Sequence, residues 1–300
     1  MLTREILLQL LGPLPVKAAP ELDWLEAVDC GSYVRHKISY AAEPGERIEA
    51  FLCVPSVGSG PYPAVYCFHQ HAGERLLGKS EVVGLAGAPD QAYAHELAER
   101  GYVTLAPDAI CFESRARVED PVGYHVHALF SRLLHGQTLL GKVLFDVSAG
   151  LDVLMALPAV DGERLGFLGH SYGGRMALFA PVFDRRIRAA VSSCGSTSFQ
   201  EMLDYETGVQ LDFVVPGLLA HGDLGDVVRL VNPASLLILG ATEDKWSLAV
   251  ETLVAYAAPA FTEGALAGAV LPGPHQFGPA LRSEAYAFLD THLGLAAPAG

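Results

Sequence analysis

Arg164-Leu165-Gly166-Phe167-Leu168 is a short apolar run of strand character. Gly169-His170-Ser171-Tyr172-Gly173-Gly174 follows it, and Arg175-Met176-Ala177-Leu178-Phe179-Ala180 reads as the first turns of a helix. Gly-x-Ser-x-Gly alone is a common pentapeptide. Between a strand and a helix it becomes a nucleophile elbow, a turn so sharp that side chains two residues either side of the serine would strike the neighbouring strand and helix. The turn lifts the serine Oγ clear of the sheet. It also aims the first N–H groups of the helix at any negative charge that develops there. Ser171 is therefore the candidate nucleophile.

On either side of the elbow, strand-like and helix-like runs alternate. Tyr33 to Tyr40 and Ile48 to Val54 read as an opening hairpin joined through Glu43-Pro44-Gly45-Glu46. Pro63 to Phe68 is a continuous apolar run, the mark of a central strand covered on both faces. Further strands are expected at Tyr102 to Asp108, Ile187 to Ser192, Ser235 to Leu239 and Ala265 to Leu271. Helices are expected at about 90–100, 139–157, 247–257 and 279–293. This alternation predicts a mostly parallel sheet with right-handed crossovers. Residues 1–30 read as an N-terminal helical arm, and 31–295 as one catalytic domain. The irregular segments 111–137 and 195–232 are candidate caps over a pocket, and the tail 296–300 is expected to fray.

Composition narrows the class. A formal net charge of −14, with no basic stripe to offset it, argues against a nucleic-acid partner. No apolar run is long enough to span a membrane, and the opening residues do not resemble a signal peptide. The five cysteines, Cys30, Cys53, Cys67, Cys111 and Cys194, show no Cys-x-x-Cys spacing. Buried reduced thiols in a cytoplasmic protein are the expectation. Oligomeric state is not legible.

A serine hydroxyl needs a base within hydrogen-bond reach and an acid that orients the base. On a strand–elbow–helix scaffold the expected order is Ser, then Asp or Glu, then His. Leu236-Leu237-Ile238-Leu239-Gly240-Ala241-Thr242-Glu243-Asp244 offers two carboxylates on the loop leaving an apolar strand. Asp244 is preferred and Glu243 is the alternative. Leu271-Pro272-Gly273-Pro274-His275 places His275 on a loop just before the final helix, as the base. The oxyanion donors are expected to be the main-chain N–H of Tyr172 and one from the loop Phe68-His69-Gln70-His71-Ala72-Gly73, with His71 first and Gln70 second. His69, Gln70, Phe112 and Arg115 are candidate pocket residues. Two His-x-His pairs, His69/His71 and His125/His127, have zinc-like spacing but no carboxylate close by, so neither a metal nor a cofactor is expected.

With these residues in hand, the chain resembles the α/β-hydrolase superfamily from about Tyr33 to Leu293. It is most similar to the dienelactone hydrolase-like branch, with acetyl xylan esterases and prolyl-oligopeptidase-type domains nearby. The resemblance implies an eight-stranded, mostly parallel sheet and a Ser–Asp–His triad. Departures refine it. Ser171 stands where dienelactone hydrolases carry a cysteine, and Gln70 stands where they carry a glutamate. Phe112 and Pro279 occupy the positions of their substrate-binding arginines, with Arg115 near but offset. These departures lead to an expectation of a neutral ester. The resulting expectation is a serine carboxylesterase acting on a small or medium ester through an acyl-enzyme. A peptidase or amidase with the same machinery is the alternative, and a lactone hydrolase or a non-catalytic binding module stands further off.

Overall fold

The computed structural model describes residues 1–19 and 21–295. Its sheet contains nine strands among those residues: β1 (Leu22–Asp29), β2 (Tyr33–Ala41), β3 (Arg47–Pro55), β4 (Tyr62–Phe68), β5 (Val103–Pro107), β6 (Val160–His170), β7 (Ile187–Ser193), β8 (Ser235–Glu243) and β9 (Leu266–Pro274). They are ordered β1-β2-β3-β5-β4-β6-β7-β8-β9. The first three strands and the β3–β5 pair are antiparallel. From β5 through β4 to β9 every pairing is parallel. After β4 the chain steps to one side to make β5, then crosses back to lay β6 on the other side of β4. That reversal opens a crevice at the C-terminal ends of β4 and β6, the place where sheets of this kind hold ligands.

The central strands alternate between two cores. Ala64, Tyr66 and Phe68 of β4 and Phe167 of β6 face the core that includes Leu144 and Leu151 of the helix Leu139–Ala156. Val65, Cys67 and Leu168 face the core that includes Leu97 of the helix Tyr93–Glu99 and Leu289 of the helix Pro279–Leu293. Both faces are therefore apolar, which is why these strands read as unbroken hydrophobic runs.

The structure departs from the expectations in three places. The sheet has nine strands rather than eight, because the arm 1–30 is not wholly helical. It holds a helix, Arg4–Leu11, whose N-cap Thr3 accepts from Ile6 N–H at 3.2 Å, and then β1. β1 is an edge strand with most residues exposed, held by main-chain pairing to β2 rather than by burial, so it lacks a hydrophobic signature. Segment 111–137 is largely a helix, Pro121–Leu134, started by Asp120 accepting from Gly123 N–H at 2.9 Å and by Pro121 in the first turn. Its Pro-Val-Gly opening resembles a loop until the cap is seen. The acid-side helix begins at Val250 rather than Ser247, because Ser247 is engaged with Asp244. The expected fraying of 296–300 lies outside the described residues. None of the described helices is long and apolar enough to cross a membrane.

Candidate active site

Ser171, Asp244 and His275 each occupy the first position beyond a parallel strand: β6 ends at His170, β8 at Glu243 and β9 at Pro274. The sheet brings together three residues that lie far apart in sequence. β8 and β9 are direct neighbours with Glu243 opposite Pro274, so the residues that follow, Asp244 and His275, emerge side by side.

The elbow is built by close approach. Ser171 has φ 58° and ψ −111°, a conformation unfavourable for a residue with a side chain. Its N–H donates to Ser193 O at 2.7 Å. A Cβ on Gly173 would lie 2.1 Å from Phe68 O at the end of β4, and one on Gly174 would lie 2.2 Å from Ser193 O at the end of β7. The start of the helix Tyr172–Phe183 is thus wedged between two strand ends, and only glycines admit it.

His275 Nε2 lies 2.9 Å from Ser171 Oγ. Its Nδ1 lies 2.8 Å from Asp244 Oδ1, within ion-pair distance, although the ring N–H is not in line for an ideal hydrogen bond. Contacts of this kind commonly tighten only when substrate is bound. Asp244 Oδ1 also accepts from Trp246 N–H at 2.9 Å, and Oδ2 accepts from the Ser247 hydroxyl. Burial works to raise the Asp244 pKa. The close contact with His275 and the hydrogen bond from Ser247 outweigh it and hold the carboxyl below its usual range. Glu243 is exposed to solvent. Of the two carboxylates left open by the sequence, Asp244 is therefore the one at His275.

Beneath the imidazole lies His170, buried, with its ring centroid 4.9 Å from that of His275 and stacked on Phe277 at 5.7 Å. Burial, reinforced by the nearby His275, pushes the His170 pKa down to about 3. A neutral ring thus supports the base without adding a charge to the site.

Tyr172 N–H is the first of its helix, one of the donors that helices leave free. His71 lies on the loop after β4, and its N–H donates to no other main-chain group among the described residues. Burial, with Arg75 beside it, pushes the His71 ring down to about 4, so its imidazole is neutral near pH 7.

The pocket residues named from sequence fall elsewhere. His69 is buried, with Nδ1 on Gln70 O at 2.7 Å and Nε2 accepting from Ala109 N–H at 3.1 Å. Phe112 is fully buried against Tyr172 and His69. Gln70 donates to both oxygens of Glu81 at 3.1–3.2 Å. Arg115 is turned away into a buried ion network, 2.6 Å from Glu46 and 2.9 Å from Asp146. These side chains shape the ground beneath the site; they do not line the cavity at Ser171.

That cavity is tight: it has room for about 10 Å³, no more than a single water molecule needs, far below the roughly 300–1,000 Å³ of pockets that take drug-sized ligands. It is lined by Arg175, Gly195, Met202, Gln210 and Trp246 in addition to Ser171 and Cys194. Sequence reasoning named none of these neighbours individually as pocket residues, although Gly195, Met202 and Gln210 lie in the segment 195–232 read as a candidate cap. Arg175 carried a usable signal, a single charge in the otherwise apolar run from Tyr172 to Phe183.

The His-x-His pairs do not converge. Arg75 Nε donates to His125 Nδ1 at 2.9 Å, which leaves the His125 proton on Nε2, 3.1 Å from the buried Asp212. His127 is exposed on the outer side of its helix. Cys194, Asp244 and His275 do bring one donor atom each within 4.8 Å of one another. Two of the three are already engaged with each other and with Ser171 or Ser247.

Sheet order, elbow and the side chains at the strand ends define an α/β-hydrolase of the serine esterase class. The acetyl xylan esterase (AXE1) family profile matches residues 25–206, and the chain belongs to that family. YtaP of Bacillus subtilis (strain 168), which carries a hydrolase name, is 26% identical over 246 residues, covering 81% of this chain and 80% of that protein. Among solved structures, the glucuronoyl esterase from Solibacter usitatus superposes with a TM-score of 0.73 at 14% identity, over 96% of this chain and 92% of that one. Acetyl xylan esterase 1 from Thermoanaerobacterium sp. JW/SL YS485 does so with a TM-score of 0.62 at 16% identity, over 99% of each chain. The chain is accordingly an ester-cleaving hydrolase.

Proposed function

We propose that Ser171 attacks the carbonyl of a small carboxylic ester, that His275 takes its proton and returns it to the departing alcohol, and that Asp244 orients His275. An acyl-enzyme forms on Ser171 Oγ, and water activated by the same histidine releases the acid. The N–H groups of Tyr172 and His71 stabilise the tetrahedral oxyanion; losing one such donor typically costs roughly 10²–10³ in turnover. The observation that carries this reading is the 2.9 Å contact between His275 Nε2 and Ser171 Oγ, with a carboxylate on the far side of the ring.

The confined cavity beside Ser171 favours short acyl groups such as acetyl, in keeping with the family. Met202 and Gln210 reach it from segment 195–232, which supports that segment's role as a specificity cap. The side chains assigned these roles are complete without a metal or cofactor. All five cysteines are free, which favours a reducing compartment such as the cytoplasm.

The test is Ser171→Ala. It should abolish p-nitrophenyl acetate turnover and fluorophosphonate labelling while leaving the circular dichroism spectrum intact. Labelling that persists in this variant would remove Ser171 from the role.

A further inference from the structure

Arg175 sits in the first turn of the helix Tyr172–Phe183, four positions after Ser171, and lines the same cavity. It is only 2% exposed. Its Nη2 donates to Thr197 O, and the faces of Phe199 and Phe213 flank the guanidinium at 5.1 and 5.6 Å. Its Nη1 is buried and has no hydrogen-bond partner. Among the described residues the carboxylate that acts on it is Asp223, through space rather than by contact. Asp223 is already accepting from the N–H groups of Phe199, Gln200 and Leu224. Arg115, by contrast, is a largely buried arginine that meets both Glu46 and Asp146.

A desolvated cation without a counter-ion in contact is costly, and an anion in contact would offset that cost more fully than a carbonyl and two ring faces do. Burial lowers the Arg175 pKa to about 10, which still leaves it charged at neutral pH. A guanidinium whose Nη1 is unpartnered can give a carboxylate a hydrogen bond as well as a charge. The overall charge of −14 does not decide against an anion. Its field is screened over roughly 8 Å of salt solution, whereas Arg175 acts inside the cavity.

We infer that Arg175 is an anion-recognition residue, and that the preferred substrate is a small ester carrying a carboxylate a few atoms from the scissile carbonyl. This rests on Ser171 as the nucleophile. It replaces the neutral ester expected from Phe112 and Pro279, because the elbow helix supplies the positive charge those positions lack.

Two matched pairs on the full chain test it at constant ionic strength. One pair places the charge on the acyl side, p-nitrophenyl hydrogen succinate against p-nitrophenyl butyrate. The other places it on the alcohol side, acetoxyacetate against its methyl ester. In at least one pair the charged member should win by tenfold or more in kcat/KM, chiefly through KM. Arg175→Gln should erase that preference and Arg175→Lys should restore part of it. A neutral member that wins both pairs, or a ratio that Arg175→Gln leaves in place, overturns the inference. Should Arg175→Gln not fold, the wild-type chain still decides. Succinate should slow fluorophosphonate labelling of Ser171 where succinamide at equal concentration does not, and equal effects would overturn the inference. Failure of the nucleophile reading is separable, because it appears as no labelling of Ser171 with or without succinate.

Discussion

Asp244→Asn separates a carboxylate that orients His275 from one that merely caps a loop. Every neighbour of the Asp244 carboxylate is a donor: Trp246 N–H, the Ser247 hydroxyl and the Nδ1 side of His275. An asparagine offers one acceptor oxygen and one donor NH₂ in their midst. If the NH₂ faces Ser247, that hydroxyl can rotate to accept, and His275 keeps an oxygen but loses the negative charge that stabilises its protonated form. If the NH₂ faces Trp246 and His275, two donors collide, and the ring is driven to the tautomer with its proton on Nε2. That nitrogen can then no longer accept from Ser171. Asp244 is buried, so water cannot repair either arrangement. Loss of charge and tautomer together is expected to lower kcat by about 10³–10⁴-fold, as in other Ser–His–Asp sites, or about 4–5.5 kcal/mol at 1.36 kcal/mol per tenfold. Glu243→Gln should stay within about twofold, because Glu243 is exposed. The assay is p-nitrophenyl acetate turnover near pH 8, with circular dichroism to show that each variant is folded. Asp244→Asn retaining more than a tenth of wild-type kcat, with Glu243→Gln collapsing, would refute the reasoning and move the role to Glu243.

Stability should fall as the medium is acidified below neutrality. Burial holds His170 at about 3 while the unfolded chain titrates near 6.5, so the unfolded state binds the extra proton between those values. Stability is complete above about 6.5 and is lost toward pH 3 at roughly 1.4 kcal/mol per pH unit for such a group, with His71 acting in the same sense. Tm should therefore drop from pH 7 to 5 and drop less in His170→Asn; a flat Tm over that interval would contradict this. Gly173→Ala should cost at least the roughly 1–3 kcal/mol of an overpacked core and impair fluorophosphonate labelling, because its Cβ would lie 2.1 Å from the main-chain oxygen of Phe68; a wild-type denaturation midpoint would show the wedge to be looser than described. Dialysis against EDTA should leave ester turnover unchanged, and a loss that added zinc restores would bring Cys194, Asp244 and His275 forward as a metal site.

How much was readable varied with the kind of information each residue carries. Strand β4 and the stretch Leu165 to Leu168 of β6 announce themselves because burial on both faces leaves room only for apolar side chains and glycine. The edge strand β1 gives no such sign, because main-chain pairing to β2 holds Trp24 and Glu26 in place while leaving them largely in water. The helix Pro121–Leu134 was hidden by its own start, where Pro121 and Gly123 imitate a loop until the Asp120 cap is seen. The elbow was legible because its glycines answer a steric demand that few other motifs share.

The sequence by itself determined the alternation of strand and helix, the serine at its turn, and the order Ser171, Asp244, His275. These are local or ordered features, set by side-chain size, turn sterics and the strand ends on which each residue lies. Only the tertiary structure decided that Asp244 rather than Glu243 faces His275, since neighbouring positions leaving a strand point in opposite directions and packing selects one. It likewise sent Arg115 to Glu46 and Asp146 and left Arg175 at the cavity. Which of two arginines stays without a counter-ion depends on carboxylates brought in from distant parts of the chain, and that information exists only after the sheet has assembled.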